Sequence, residues 1–144
     1  MKAAVIERHG EPPVLREHDA PPAGPEHVLV HVSAAPIVPL DLLCASGASY
    51  FGPPPLPYIP GVQGVGTLER PDSPMAGSVV WFQTSAGMRP GNGSLAELCA
   101  VPAAELVPLP DGVDPALAAA LGLSAVAAWM ALRWRSSTPK FSRS

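Results

Sequence analysis

The stretch Leu56–Gly66, LPYIPGVQGVG, constrains the fold more than any other part of this chain. Pro57 and Pro60 bracket Tyr58 and Ile59, and Gly61, Gly64 and Gly66 follow directly. Proline fixes φ and donates no ladder hydrogen bond, while glycine reaches φ > 0 and lets another segment approach closely. A Pro-Gly turn feeding a Gly-rich strand therefore predicts a tight corner beside something packed against it. The glycine order is G-x-x-G-x-G, not the G-x-G-x-x-G of a dinucleotide loop, and no helical pattern follows it. The glycines read as structural.

Around this corner the chain alternates short apolar runs with turn residues. MKAAVIE and VLREHD read as two strands, the second partly exposed, separated by the HGEPP turn. Val28–Ile37 is rich in β-branched residues and apolar at successive positions, which predicts a strand covered on both faces. His31 lies inside it and reads as a core histidine. PLDLLCASG predicts a short helical turn, with Pro39 at its first position and Gly47 ending it. GVGTLE, GSVVWFQ and GSLAELCAVP are three further strands, and ELVPLP a short edge strand. Asp114-Pro115 then gives an N-cap and an N1 proline. ALAAALGLSAVAAWMALRW follows as one unbroken helix, apolar nearly all round, as a helix buried on most sides would be.

The 144 residues include 20 prolines and 13 glycines, which rules out an all-helical chain. The predicted class is mainly β: a small distorted open barrel with one short helical turn and one C-terminal helix. Net charge is −3 with no basic stripe, so nucleic acid is not an expected partner. No apolar run is read as reaching the roughly 18 residues needed to span a membrane, and no signal-peptide core opens the chain. Cys44 and Cys99 lack metal spacing and read as free core thiols in a cytoplasmic protein. Ser85 and Ser94 have no His or Asp at a spacing that suggests a nucleophile–base pair. After Leu132 the composition changes: Arg133, Arg135, Lys140 and Arg143 accumulate without an acidic residue.

PYIPGVQGVGTLE resembles the PxxPGxExxGxV segment of the medium-chain dehydrogenase/reductases, which comprise zinc alcohol dehydrogenases and zinc-free quinone oxidoreductases. GLSAVAAWMAL resembles that family's GLTxxTAWxAL helix, and GSLAEL its GxxAEY strand. The resemblance covers roughly Met1 to Leu132. It implies a GroES-like catalytic domain over 1–113, a helix over 114–135 leading toward a nucleotide-binding domain, and a polar tail over 136–144 foreign to the family. On this reading the chain stops before the cofactor domain, through truncation or a shifted frame.

The resemblance also bears on chemistry. The zinc branch places its cysteine, histidine and glutamate where this chain has Val38, Val62 and Gln63, so zinc is not expected. In the zinc-free branch an asparagine and a tyrosine stand near the nicotinamide; here those positions fall on Val38 and Leu43, while Asp41 matches the family aspartate. Asp41 also suits bracing of the helical turn. Ser124 matches a hydroxyl near the nicotinamide. The implied wall of the cofactor and substrate pocket is Val38, Asp41, Leu43 and Gln63, with Ser124 toward the cofactor and no catalytic acid, base or nucleophile. NADPH is the expected cofactor of the whole family protein, with hydride passed to a small quinone or enone; the 144-residue chain alone is expected to bind none and to be inactive. Self-association through the apolar helix is the expected partner interaction. The alternative is a stand-alone GroES-like barrel acting as a binding module without catalysis.

Overall fold

The computed structural model describes residues 1–22, 24, 26–69 and 76–137, the last three as backbone only. Strands β1 (Lys2–Val5) and β2 (Val14–Glu17) form an antiparallel pair. A second sheet holds β3 (His27–Ala34), β4 (Gln63–Glu69), β5 (Val79–Gln83), β6 (Leu98–Pro102) and β7 (Leu106–Pro108). Its order is β6-β3-β4-β5-β7, antiparallel throughout, and it curls into a half-barrel. As the sequence suggests, β7 is an edge strand and β2 is exposed. Helix α1 (Pro39–Ala45) and the long α2 (Pro115–Ser137) complete the architecture. The mainly β, open-barrel expectation holds.

The core is built from two buried clusters. Val28, Val30, Leu68, Val80, Phe82, Cys99 and Val101 form one buried cluster, and Ala3, Val5 and Ile59 a second beneath β1. Both cysteines are free and buried. Burial pushes the Cys99 thiol up to about 12, so it stays protonated.

β3 departs from its reading. It ends at Ala34 rather than Ile37, because Pro36 offers no N–H to extend the ladder. Its burial alternates instead of covering both faces: Val28 and Val30 point into the core, while His31 points out. His31 is therefore no core histidine. Its Nε2 stands 3.0 Å from the Glu69 carboxylate on the neighbouring strand, both side chains about half exposed.

The Pro-Gly corner is built as expected. The Leu56–Pro57 peptide is cis. Gly61 has φ +113°, and a Cβ there would collide with the Ser94 side chain and backbone. Gly93, Ser94 and Leu95 donate backbone bonds to Ile59, Gly61 and Pro60. That pairing takes the first residues of the GSLAELCAVP run out of the main sheet, so β6 starts only at Leu98.

Helix α2 begins as read, with Asp114 Oδ1 accepting the Leu117 N–H at 2.8 Å. It is not unbroken. Gly122 sits at φ +24°, ψ −126° and divides it in two. Nor is it buried on most sides: Ala119 is covered against the sheet, whereas Leu117, Val126, Trp129, Met130 and Leu132 are exposed. A further expectation fails on length. Pro115–Trp134, with mean hydropathy 1.8, is long and apolar enough to cross a membrane by those two criteria. Gly122 and Ser124 look like interruptions of the apolar run, yet they cost little hydropathy. The polar tail assigned to 136–144 lies outside the described residues from 138 onward, and Ser136 and Ser137 are helical.

Candidate functional site

The site is organised by one carboxylate. Asp41, in the first turn of α1, is 4% exposed. Its Oδ2 accepts the Val38 N–H at 2.9 Å, the reciprocal bond that a side chain three residues into a helix makes to its own start. Its Oδ1 accepts the N–H groups of Gly61 at 3.1 Å and Val62 at 2.9 Å. One side chain thus fixes the start of α1 and locks it against the Pro-Gly corner. Burial raises the Asp41 pKa above its ordinary value, and the three N–H bonds offset only part of that rise.

Next to this lock stands Gln63, fully buried at the start of β4. Its Oε1 accepts the Leu123 N–H at 2.9 Å, sixty residues along the chain. Leu123 opens the second half of α2, where a helix leaves its first N–H groups unpaired. Gly122 is needed there for two reasons: its φ is in the left-handed region, and a Cβ would collide with Gln63 Oε1. Gln63 Nε2 is buried without a hydrogen-bond partner among the described residues. An unmade bond of that kind costs on the order of 1–3 kcal/mol.

The residues singled out from sequence are thus placed in two groups. Asp41 and Gln63 are buried and committed to backbone N–H groups. Val38 is half-buried, Leu43 is 40% exposed, and Ser124 is exposed on α2 just beyond the kink. Asp41 ties Val38 to Val62, and Gln63 follows Val62 directly, so the segments bearing Val38, Val62 and Gln63 do converge. Those three positions carry no imidazole, thiolate or carboxylate, the one carboxylate at the convergence, Asp41, is committed to backbone N–H groups, and Val62 is buried. Among the described residues no three His, Cys, Asp or Glu side chains are grouped to hold a metal ion. Cys44, on α1, and Tyr58, in the Pro-Gly corner, are also buried. Burial, with Cys44 and Asp41 nearby, pushes the Tyr58 hydroxyl up to about 12, and that hydroxyl has no hydrogen-bond partner among the described residues.

Two hollows lie beside these residues, the smaller bordered by Tyr58 itself. The larger, about 470 Å³, runs past Phe51, Gln83, Thr84, Arg89 and Glu105. The smaller, about 200 Å³, lies among Pro54, Pro57, Tyr58, Gly87, Arg89 and Asn92. Arg89–Asn92 forms a wall of both. In the sequence this segment reads only as a separator between strands; the signal it carries is an arginine held between glycines and a proline.

Residues 24–111 match the alcohol dehydrogenase GroES-like domain. An alcohol dehydrogenase from Rhizobium meliloti (strain 1021) is 39% identical over 70 residues, covering 49% of this chain and 20% of that protein. The quinone oxidoreductase of Thermus thermophilus, solved also in complex with NADPH, superposes with a TM-score of 0.79 at 33% identity, over 96% of this chain and 42% of that one. An alcohol dehydrogenase superfamily protein from Novosphingobium aromaticivorans gives 0.78 at 33% identity, over 90% and 40%. The chain thus spans less than half the length of these relatives. The family model spans more than half of this chain, and the chain belongs to the alcohol dehydrogenase GroES-like domain family.

Proposed function

We propose that this chain forms the GroES-like catalytic part of a zinc-independent, NADPH-dependent oxidoreductase that passes hydride to a small carbonyl-conjugated substrate, a quinone or an enone. The observation that carries this reading is the donor set at the convergence of α1 and β4. Catalytic zinc requires three N, S or O ligands and an open position. Val38 and Val62 offer none, the Gln63 carbonyl is engaged by Leu123, and both Asp41 oxygens are engaged by backbone N–H groups. Reduction at such a site rests on the hydride that NADPH supplies, with the protein giving orientation and a dry wall.

The residues present fit one end of that cofactor only. Val38, Leu43 and Ser124 form the wall facing the nicotinamide, and Asp41 and Gln63 position them from behind. The pyrophosphate end needs backbone N–H groups at a helix N-terminus after a parallel strand. Every pairing between the strands β1–β7 is antiparallel, so the described residues offer no such cradle. On this reading 1–113 is the catalytic domain, 114–135 the helix leading toward a nucleotide-binding domain, and 136–144 a tail outside the family pattern. The 144-residue chain alone then neither binds NADPH appreciably nor turns over substrate. Its partners are a small-molecule substrate and, through the apolar face of α2, a second copy; its compartment is the cytoplasm, where Cys44 and Cys99 stay reduced.

The test is the DNA that follows the codon for Arg135. A reading frame there encoding a strand and G-x-G-x-x-G should, when joined to residues 1–135, give a protein that oxidises NADPH with a quinone or enone and keeps that activity after exhaustive chelation. Activity abolished by chelation and restored by zinc would contradict the reading.

A further inference from the structure

The smaller hollow has a lining of unusual chemistry. Arg89 is its one charged side chain among the described residues, and no acidic residue borders it there. Arg8 pairs with Glu11, Arg16 with Glu7, and Arg133 lies over Trp129. The Arg89 guanidinium has no hydrogen bond or ion pair among the described residues. Asn92 Oδ1 already accepts the Ile59 N–H at 3.2 Å, which leaves its amide N–H groups as donors. Glu105 belongs to the larger hollow on the other side of the Arg89–Asn92 wall, where its Oε2 takes the Gln83 amide at 2.6 Å.

The walls are held in place. His9 Nε2 stands 3.0 Å from the Pro54 carbonyl, tying the proline loop to the β1–β2 turn. Opposite, the Asn92–Ile59 bond and the Gly93–Ile59 backbone bond hold the other wall. Pro54, Pro55 and Pro57 present rigid apolar rings. A preformed hollow loses little ordering entropy when it is filled.

We propose that this hollow is a binding site for a short-chain monocarboxylate, its carboxylate held by Arg89 and Asn92 and its hydrocarbon part against the proline rings. Arginine's planar fork matches a carboxylate with two parallel N–H bonds. With the side-chain donors of Arg89 and Asn92 and no carboxylate in the described lining, the hollow favours a ligand that accepts hydrogen bonds. At about 200 Å³ the hollow is smaller than the roughly 300–1,000 Å³ of drug-sized pockets, so the acid is a small one. This site is independent of the oxidoreductase reading.

Titration of sodium butyrate into the ¹⁵N-labelled chain, followed by amide chemical shifts, tests it, with butyramide as an uncharged probe of the same shape. Saturable shifts at Gly87, Arg89, Gly91 and Asn92 are expected. Butyramide, and butyrate with the Arg89→Gln variant, should bind roughly tenfold more weakly or worse, the scale set by a charged hydrogen bond. Arg89 is exposed, so Arg89→Gln should fold as the parent does, and Arg89→Lys should retain part of the affinity. Equal binding of butyramide, indifference to Arg89→Gln, or shifts confined to Val38 and Ser124 would each overturn the proposal.

Discussion

Gln63 Oε1 accepts the backbone N–H of Leu123 at 2.9 Å, and this bond joins the barrel to the second half of α2. The helix can approach so closely only because Gly122 has no Cβ. Gly122→Ala should therefore destabilise the chain by about 2–4 kcal/mol, from a left-handed backbone forced on a non-glycine residue and from a clash with a buried amide. Gln63→Ala, which leaves the Leu123 N–H unpartnered, should cost about 1–3 kcal/mol. Urea unfolding midpoints measure both, and a Gly122→Ala protein as stable as the parent would contradict the arrangement.

Asp41 makes a prediction in pH. Its folded-state pKa lies above the ordinary 3.8, chiefly because it is buried. In the folded chain it therefore takes up a proton at a pH where the unfolded chain has lost it. Its titration contributes stability that is fully present below 3.8 and is lost as pH rises through the raised folded value. Asp41→Asn should remove that slope. It should also cost about 1–3 kcal/mol at neutral pH, because an amide N–H group then faces the Val38 N–H or those of Gly61 and Val62. Stability curves at a series of pH values, compared between parent and variant, check both points; identical slopes would count against the assignment.

Much of this is legible in the sequence for local reasons. Pro39, Gly47, Asp114 and Pro115 mark helix ends through φ and cap chemistry that depend on neighbouring residues alone. The strands are legible from runs bounded by Gly and Pro. What is not legible is what spans distance. Nothing near Gln63 indicates that Leu123 will need its carbonyl, and nothing near Asp41 indicates that it will bind two N–H groups beyond its own helix. His31 misleads because a run of β-branched residues hides period-two burial: the outer face is apolar enough to look buried, but carries the Glu69 pair instead. The Gly122 kink is hidden because one glycine in an alanine-rich run does not break the pattern.

Helix α2 leaves Leu117, Trp129, Met130 and Leu132 exposed. Apolar area of this kind drives association in water. The chain should sediment as an oligomer at high concentration, and Trp129→Glu with Leu132→Glu should shift it toward monomer without unfolding the barrel. A monomeric profile for the parent at every concentration would contradict this.

The donor set at Val38, Val62 and Gln63 predicts that purified protein carries no stoichiometric zinc. Elemental analysis checks it. About one zinc per chain, lost on His31→Ala or Cys44→Ala, would show that a tetrahedral ligand set exists where none is expected.

The most direct test of the central claim is calorimetric titration of NADPH into the 144-residue chain. On the proposed reading the chain offers one wall, Val38, Leu43 and Ser124, positioned by Asp41 and Gln63, and no pyrophosphate cradle among the described residues. A wall alone gives neither much affinity nor the fixed geometry that hydride transfer needs. The account predicts no binding heat at sub-millimolar NADPH; saturable binding with a micromolar dissociation constant would contradict it.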